Sequence, residues 1–252
     1  MALIDHHFLG KMLLLDGAVQ ITMRDEFIYR EMMTHVPLFA HGAVEQVLII
    51  GGGDCSIAGE VLKHRSVQQV TQVEIDASVI EFARTYFPEL TKPVFADARF
   101  QSVVGDGMRY VARTNRRFDV IIVDSTDPQG PGEVLFSKRF YAACKRCLTE
   151  HGILVTQNGV PFLQSKELFG SLRHFRKLFL HHGCYLAAVP TYVGGHMAMG
   201  WASSQDIATV ALDLIRERYA AAGSFQTKYW TPRVHAASFA LPRFIEEIAE
   251  RA

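Results

Sequence analysis

Asp119-Val-Ile-Ile-Val-Asp-Ser-Thr-Asp-Pro-Gln-Gly-Pro131 is the stretch on which the fold turns. Residues 119–123 form an apolar run without polar alternation, the pattern of a parallel strand buried on both faces. Two acids, Asp124 and Asp127, stand at its carboxyl end. Pro128, Gly130 and Pro131 then predict an ordered loop in place of a helix. In open α/β sheets, ligands gather at the carboxyl ends of the strands. Two carboxylates there suit a cation, or an amine that must lose a proton before it attacks. The plain alternative is a solvated acidic turn.

Strands and helices alternate on both sides of this stretch. Upstream, residues 47–50 read as a buried strand that runs into Gly51-Gly52-Gly53-Asp54, with a helix over 57–64. A second strand over 70–75 precedes a helix over 78–87. A third, over 100–104, ends in Gly105-Asp106-Gly107 before a helix over 108–114. Downstream come a helix over 138–148, a strand over 152–157, a helix over 165–179, strands over 185–190 and 197–202, and a closing helix over 241–249. Repeated βα units of this length predict an α/β fold with a doubly wound, mostly parallel, Rossmann-like sheet. The late strand pair, with no helix between, predicts an antiparallel edge hairpin of the methyltransferase type.

The N-terminal residues read differently. Short strands are expected over 3–8, 11–15 and 18–22, with Asp16-Gly17 as a hairpin turn. An amphipathic helix over 25–35 should stop before Pro37. Three short strands have little of their own to pack on, so this β-hairpin region should lean on the rest. The expected division is residues 1–45, the small β region and connecting helix, and 46–252, a Rossmann-like nucleoside-binding catalytic domain.

Bulk numbers narrow the function. Lys plus Arg and Asp plus Glu both number 26, and no basic stripe marks a nucleic-acid binder. No apolar run reaches the roughly 18 residues of a membrane span. The start, Met1-Ala-Leu-Ile-Asp-His-His7, has no basic region followed by an apolar core, so cytosolic residence is expected. Cys144 and Cys147 form a C-x-x-C without a second pair and sit in helical sequence. Buried thiols on one helix face are expected there, and no metal centre.

Glycines after a strand let a ligand approach the backbone. Glu74, at the end of the second strand, stands where a carboxylate accepts both ribose hydroxyls. This spacing fits a dinucleotide or a nucleoside such as S-adenosylmethionine. Asp54 favours the nucleoside, because it repels a pyrophosphate and attracts an ammonium or sulfonium. Asp106 with Gly107 is placed to meet an adenine edge, or Asp106 is simply a helix N-cap.

On these residues the chain resembles the polyamine aminopropyltransferases, bacterial spermidine synthases in particular. The matching segments are Leu15-Asp-Gly-Ala-Val-Gln20, Arg24-Asp-Glu-Phe-Ile-Tyr29, Val47-Leu-Ile-Ile-Gly-Gly-Gly-Asp54, Val73-Glu-Ile-Asp76, Gly105-Asp-Gly107, Asp124-Ser-Thr-Asp-Pro-Gln-Gly-Pro131, Pro190-Thr-Tyr192 and Gly194-Gly195. The resemblance implies aminopropyl transfer from decarboxylated S-adenosylmethionine, a co-substrate rather than a resident cofactor, to putrescine. Spermidine and methylthioadenosine are the implied products. It implies Glu74 on the ribose, Asp106 and Gly107 on the adenine, Pro131 and Gln20 on the nucleoside, and Asp54 on the aminopropyl ammonium. Asp124 is implied as the base, helped by Tyr29, with Asp127, Gln157 and Tyr192 seating the diamine. A homodimer or homotetramer is implied as well.

The sequence also departs from that pattern. The family carries further N-terminal strands that would precede Met1, so the β region is expected to be truncated. Arg30 stands where histidine or glutamine contacts the donor. An arginine keeps its charge, so it is expected to repel a sulfonium and an ammonium. Cys55 and Gly59 replace a usual glycine and a common arginine. Two other readings stay open on the sequence. One is a weakly active or inactive homologue that binds nucleoside or pairs with another subunit. The other is an S-adenosylmethionine-dependent methyltransferase, with Arg30 pairing the methionine carboxylate.

Overall fold

The computed structural model describes the whole chain except Asp127, Gln129 and the side chain of Pro131. Three short strands, β1 (Ala2–His6), β2 (Gly10–Leu15) and β3 (Ala18–Thr22), form an antiparallel sheet. Its apolar face does lean on the body of the protein: Leu13 and Ile21 pack on Phe87, with Phe82 and Leu90 alongside.

Helix α1 (Glu26–His41) leads into a seven-stranded sheet. Its strands are β4 (Gln46–Gly51), β5 (Gln69–Glu74), β6 (Phe100–Val104), β7 (Phe118–Asp124), β8 (Leu148–Gln157), β9 (His181–Ala188) and β10 (His196–Ser203). The spatial order is β6-β5-β4-β7-β8-β10-β9. The first five are parallel, and β10 runs antiparallel to both β8 and β9, the edge hairpin expected from the sequence. The remaining helices are α2 (Ser56–Leu62), α3 (Ala77–Tyr86), α4 (Pro88–Ala96), α5 (Gly107–Arg113), α6 (Lys138–Cys147), α7 (Pro161–Leu178), α8 (Leu212–Ala221), α9 (Pro232–Ala237) and α10 (Arg243–Arg251).

Side-chain alternation along each strand splits the core in two. Val47, Ile49, Val120 and Ile122 face one way, against Met33 and Val36 of α1, Val61 of α2 and Ile215 of α8. Leu48, Ile50, Ile121 and Val123 face the other, against Val111 of α5, Phe140 of α6, Leu172 of α7 and Ile248 of α10. Cys144 and Cys147 lie buried on one face of α6 as free thiols. Among the described residues no helix is long and apolar enough to cross a membrane.

Four local expectations need correction. First, α1 does not stop before Pro37; it runs through it to His41. A proline inside a helix costs about 3 kcal/mol. Met32, Met33, Val36, Leu38 and Phe39 are all buried, at about 1.5–3 kcal/mol each, so burial wins. Second, residues Gly130–Phe136 wind into a 3-10 helix where a loop was expected. Third, α4, α8 and α9 were not foreseen. Pro88 opens α4, where its missing N–H costs nothing. Fourth, α7 begins at Pro161 and kinks at Gln164, ahead of the expected start at residue 165.

Candidate active site

The sheet order reverses between β4 and β7, and the crevice opens at that switch point. Gly51 and Asp124 sit side by side there, paired in the parallel register. Gly51 has φ +84°, and a Cβ on it would lie 1.9 Å from the Asp124 carbonyl oxygen. Only glycine lets the two strand ends close together in that conformation. Gln72 donates to the Gly52 carbonyl at 2.9 Å and pins the turn from the neighbouring strand. Cys55 follows with φ +65°, a left-handed conformation that L side chains rarely adopt. Its burial at the head of α2 holds it there.

A cavity of about 1020 Å³ extends from this point. Of the predicted site residues, Gln20, Tyr29, Asp54, Glu74, Asp106, Gly107, Asp124, Gln157 and Tyr192 line it. Asp127 and the Pro131 side chain lie outside the described residues, and their assignments stay with the sequence.

The Tyr29 hydroxyl donates to Asp124 Oδ1 at 2.7 Å. Loss of water and the negative charge of Asp54 push the Asp124 carboxyl up to about 7, although the Tyr29 hydrogen bond pulls it down. Burial, then the Asp124 charge, raises the Tyr29 phenol well above its usual range, so Tyr29 stays a donor. Burial also raises the carboxyl of Glu74, whose Oε1 accepts from the Asp76 amide at 3.0 Å. A Cβ on Gly53 would meet Glu74 Cγ at 3.1 Å, so the glycine turn lies directly against this acid.

Asp54 Oδ1 accepts the Ser56 amide at 2.7 Å, close to the α2 start. Asp106 caps α5, with Oδ1 accepting from Met108 and Arg109 amides at 2.8 and 3.2 Å. The N-cap alternative is therefore real, and the same residue still borders the cavity. Gln157 donates to the Ser125 carbonyl at 2.8 Å and accepts the Gly159 amide at 2.9 Å. It ties the acidic loop to β8. The Tyr192 hydroxyl donates to the Gln20 carbonyl at 2.8 Å, and its ring stands edge-on to Tyr29 with centroids 5.9 Å apart.

Arg30 is the correction here. It is not among the residues lining the cavity. Its guanidinium pairs with Glu26 at 2.8 Å and with Glu60 at 3.1 Å. One residue beyond Tyr29 on a helix points about 100° away from it, and two buried carboxylates capture the charge. The expected repulsion of a cationic ligand is therefore taken up inside the protein.

Sequence reasoning assigned no role to Asp25 or Glu26, and both line the cavity. Asp25 Oδ2 accepts from both the amide and hydroxyl of Thr191, at 2.8 and 2.7 Å, and so positions neighbouring Tyr192. Helical spacing carried a signal for Glu26, which precedes Tyr29 by three residues and shares its face.

The same architecture is found in known proteins. The spermidine synthase crystallised with the transition-state analogue AdoDATO superposes with a TM-score of 0.92 at 37% identity, covering 99% of this chain and 84% of that one. The Thermotoga maritima spermidine synthase gives 0.89 at 35% identity, covering 99% and 83%. The polyamine aminopropyltransferase of Ruegeria sp. (strain TM1040) is 55% identical over 95% of this chain and 84% of its own length. That of Escherichia coli O1:K1 / APEC is 49% identical over 94% and 83%. The spermine/spermidine synthase domain matches residues 26–213. With its doubly wound sheet and an acid-lined crevice at the switch point, the chain belongs to the spermine/spermidine synthase family and is an aminopropyltransferase.

Proposed function

We propose that the reaction is transfer of the aminopropyl group of decarboxylated S-adenosylmethionine to putrescine, giving spermidine and methylthioadenosine. The observation that carries this reading is Asp124: a carboxyl near neutral pKa, hydrogen-bonded by Tyr29, at the crevice between β4 and β7. A diamine arrives mostly as a diammonium, and one of its nitrogens must lose a proton before it can attack. Asp124 takes that proton. The neutral nitrogen then attacks the propyl methylene next to sulfur. The C–N bond forms, the C–S bond breaks, and its electron pair goes to sulfur, leaving a thioether and a secondary ammonium. A sulfonium leaves readily, so a base and an in-line geometry supply most of the acceleration.

The other roles follow the family resemblance, and the described residues among them line the cavity. Glu74 holds the ribose hydroxyls, Asp106 and Gly107 the adenine, and Gln20 and Pro131 the rest of the nucleoside. Asp54 takes the donor ammonium. Asp127, Gln157 and Tyr192 seat the diamine, with Gln157 also tying Ser125 of the acidic loop to β8. Cytosolic residence is supported by four thiols, all buried and unpaired. A homodimer or homotetramer rests on the family resemblance alone.

The test is incubation of the pure protein with both substrates and quantification of spermidine and methylthioadenosine, with S-adenosylmethionine as the competing donor. Equimolar products from the decarboxylated donor support the reading. Methyl transfer from S-adenosylmethionine, or no product, overturns it.

A further inference from the structure

We propose that Glu26 is a specificity residue that grips the ammonium of the donor's aminopropyl chain together with Asp54. The proposal rests on the donor assignment above. Glu26 is only 8% exposed and yet lines the cavity. Arg30 engages one of its oxygens, Oε2, at 2.8 Å. Among the described residues, Oε1 receives no hydrogen bond. A carboxylate buried to this degree and facing a cavity with an open acceptor calls for a cationic occupant.

Two packed helices set where that occupant sits. Arg30 of α1 meets Glu60 of α2 at 3.1 Å. One turn earlier on α1 is Glu26. One turn earlier on α2 is Ser56, whose amide holds the Asp54 carboxylate at 2.7 Å. Both helices begin at the cavity, so Glu26 and Asp54 reach it at the same level from adjacent elements. Burial pushes the Glu26 carboxyl up to about 7 against the pull of Arg30 and Lys228, and the Asp54 charge adds to the rise. An ammonium bound between the two acids would relieve that repulsion. The same pair would reject a donor that still carries its carboxylate, because that group would sit beside two negative charges.

Arg30 and Glu60 then have a defined part. Glu60 fixes the Arg30 guanidinium, Arg30 engages Oε2, and Oε1 is left for the ligand. Arg30 is a positioning residue, and Glu26 is the one that touches substrate.

Calorimetry with two nucleosides tests this at pH 8, above the value of about 7 to which burial pushes the Glu26 carboxyl. Methylthioadenosine has no ammonium. The thioether analogue of the donor keeps the aminopropyl ammonium and lacks the sulfonium charge. The wild-type protein should bind the aminopropyl thioether more tightly than methylthioadenosine. Glu26→Gln should weaken the thioether by about tenfold, the size of one charged hydrogen bond. It should leave methylthioadenosine within about twofold, which also reports that the variant is folded. In turnover, Glu26→Gln should raise the donor KM with little change for the diamine and narrow the preference over S-adenosylmethionine. Equal weakening of both nucleosides, or of neither, would overturn the proposal. If the wild-type protein shows no preference for the aminopropyl thioether, the donor assignment itself fails and takes the proposal with it.

Discussion

Tyr29 and Asp124 lie 95 positions apart in the chain and meet at 2.7 Å, hydroxyl to carboxylate. One comes from the first turn of α1, the other from the last residue of β7. The hydrogen bond favours the charged carboxylate, while burial and Asp54 favour the neutral acid. The balance leaves a base that is half ionised near neutral pH, the range in which a general base is most effective.

The pH profile should report that balance. Asp124 must be ionised to act, and its carboxyl sits at about 7. The kcat/KM should therefore fall about tenfold per pH unit below that value and level off above it. Tyr29→Phe removes an interaction that lowers this pKa, so the acid limb should move to higher pH. Asp124→Asn should keep the fold and lose about a hundredfold or more in kcat. An unmoved limb in Tyr29→Phe, or near wild-type turnover in Asp124→Asn, would remove the assignment.

The strand and glycine pattern made the parallel sheet and the strand ends that carry the site legible, because buried strands and turns obey local rules. It did not reveal α1 passing through Pro37, since that depends on how much apolar surface five residues of the helix bury against distant elements. Arg30 shows the same limit at the site. Its identity and position were plain in sequence, and its direction was set by Glu26 and by Glu60 on another helix. Asp25 carries no sequence signal at all for its contact with Thr191, 166 positions away.

Glu74 predicts a binding effect without a folding one. Its Oε1 is engaged by the Asp76 amide, and Oε2 faces the glycine turn, 3.1 Å from where a Gly53 Cβ would stand. Glu74→Gln keeps this shape and weakens charge-assisted bonds to ribose, worth about 1.5–3 kcal/mol each. Methylthioadenosine should bind at least about tenfold more weakly by calorimetry, with an unchanged melting temperature. Unchanged affinity would exclude Glu74 as the ribose ligand.

Arg30 predicts the reverse, a stability effect. Its side chain is 14% exposed and its two partners 4% and 2%. Removing the cation leaves the buried Glu26 without its ion-pair partner, while Glu60 keeps Lys63 and His35, and a loss of about 3 kcal/mol is expected. Arg30→Ala should lower the urea midpoint accordingly. Glu26, already near 7, can escape by taking up a proton, so the deficit should shrink at lower pH. A deficit that is absent, or that grows with acid, would contradict the pairing.

Glu31 makes the strongest stability prediction. The side chain is 1% exposed and carries no substrate role. Its Oε1 accepts the Lys228 amide at 2.8 Å, and Oε2 accepts those of Tyr229 and Trp230 at 2.8 and 2.7 Å. One carboxylate on α1 thus closes three donors of the segment between α8 and α9. That segment delivers Trp230, fully buried, onto the ring of Phe39, with centroids 4.6 Å apart. Glu31→Ala strands the three amides at about 1–3 kcal/mol each. Part of this will be recovered by water, so a net loss of about 4 kcal/mol is expected from urea unfolding. Glu31→Gln should cost less. Its carbonyl oxygen can still take the Tyr229 and Trp230 amides, and only the Lys228 amide would face an NH2 group. Limited proteolysis of Glu31→Ala should cut first between residues 223 and 229, before any cleavage in the sheet. If Glu31→Ala unfolds within 1 kcal/mol of wild type, the anchor is dispensable, and packing of Trp230 alone holds this segment on α1.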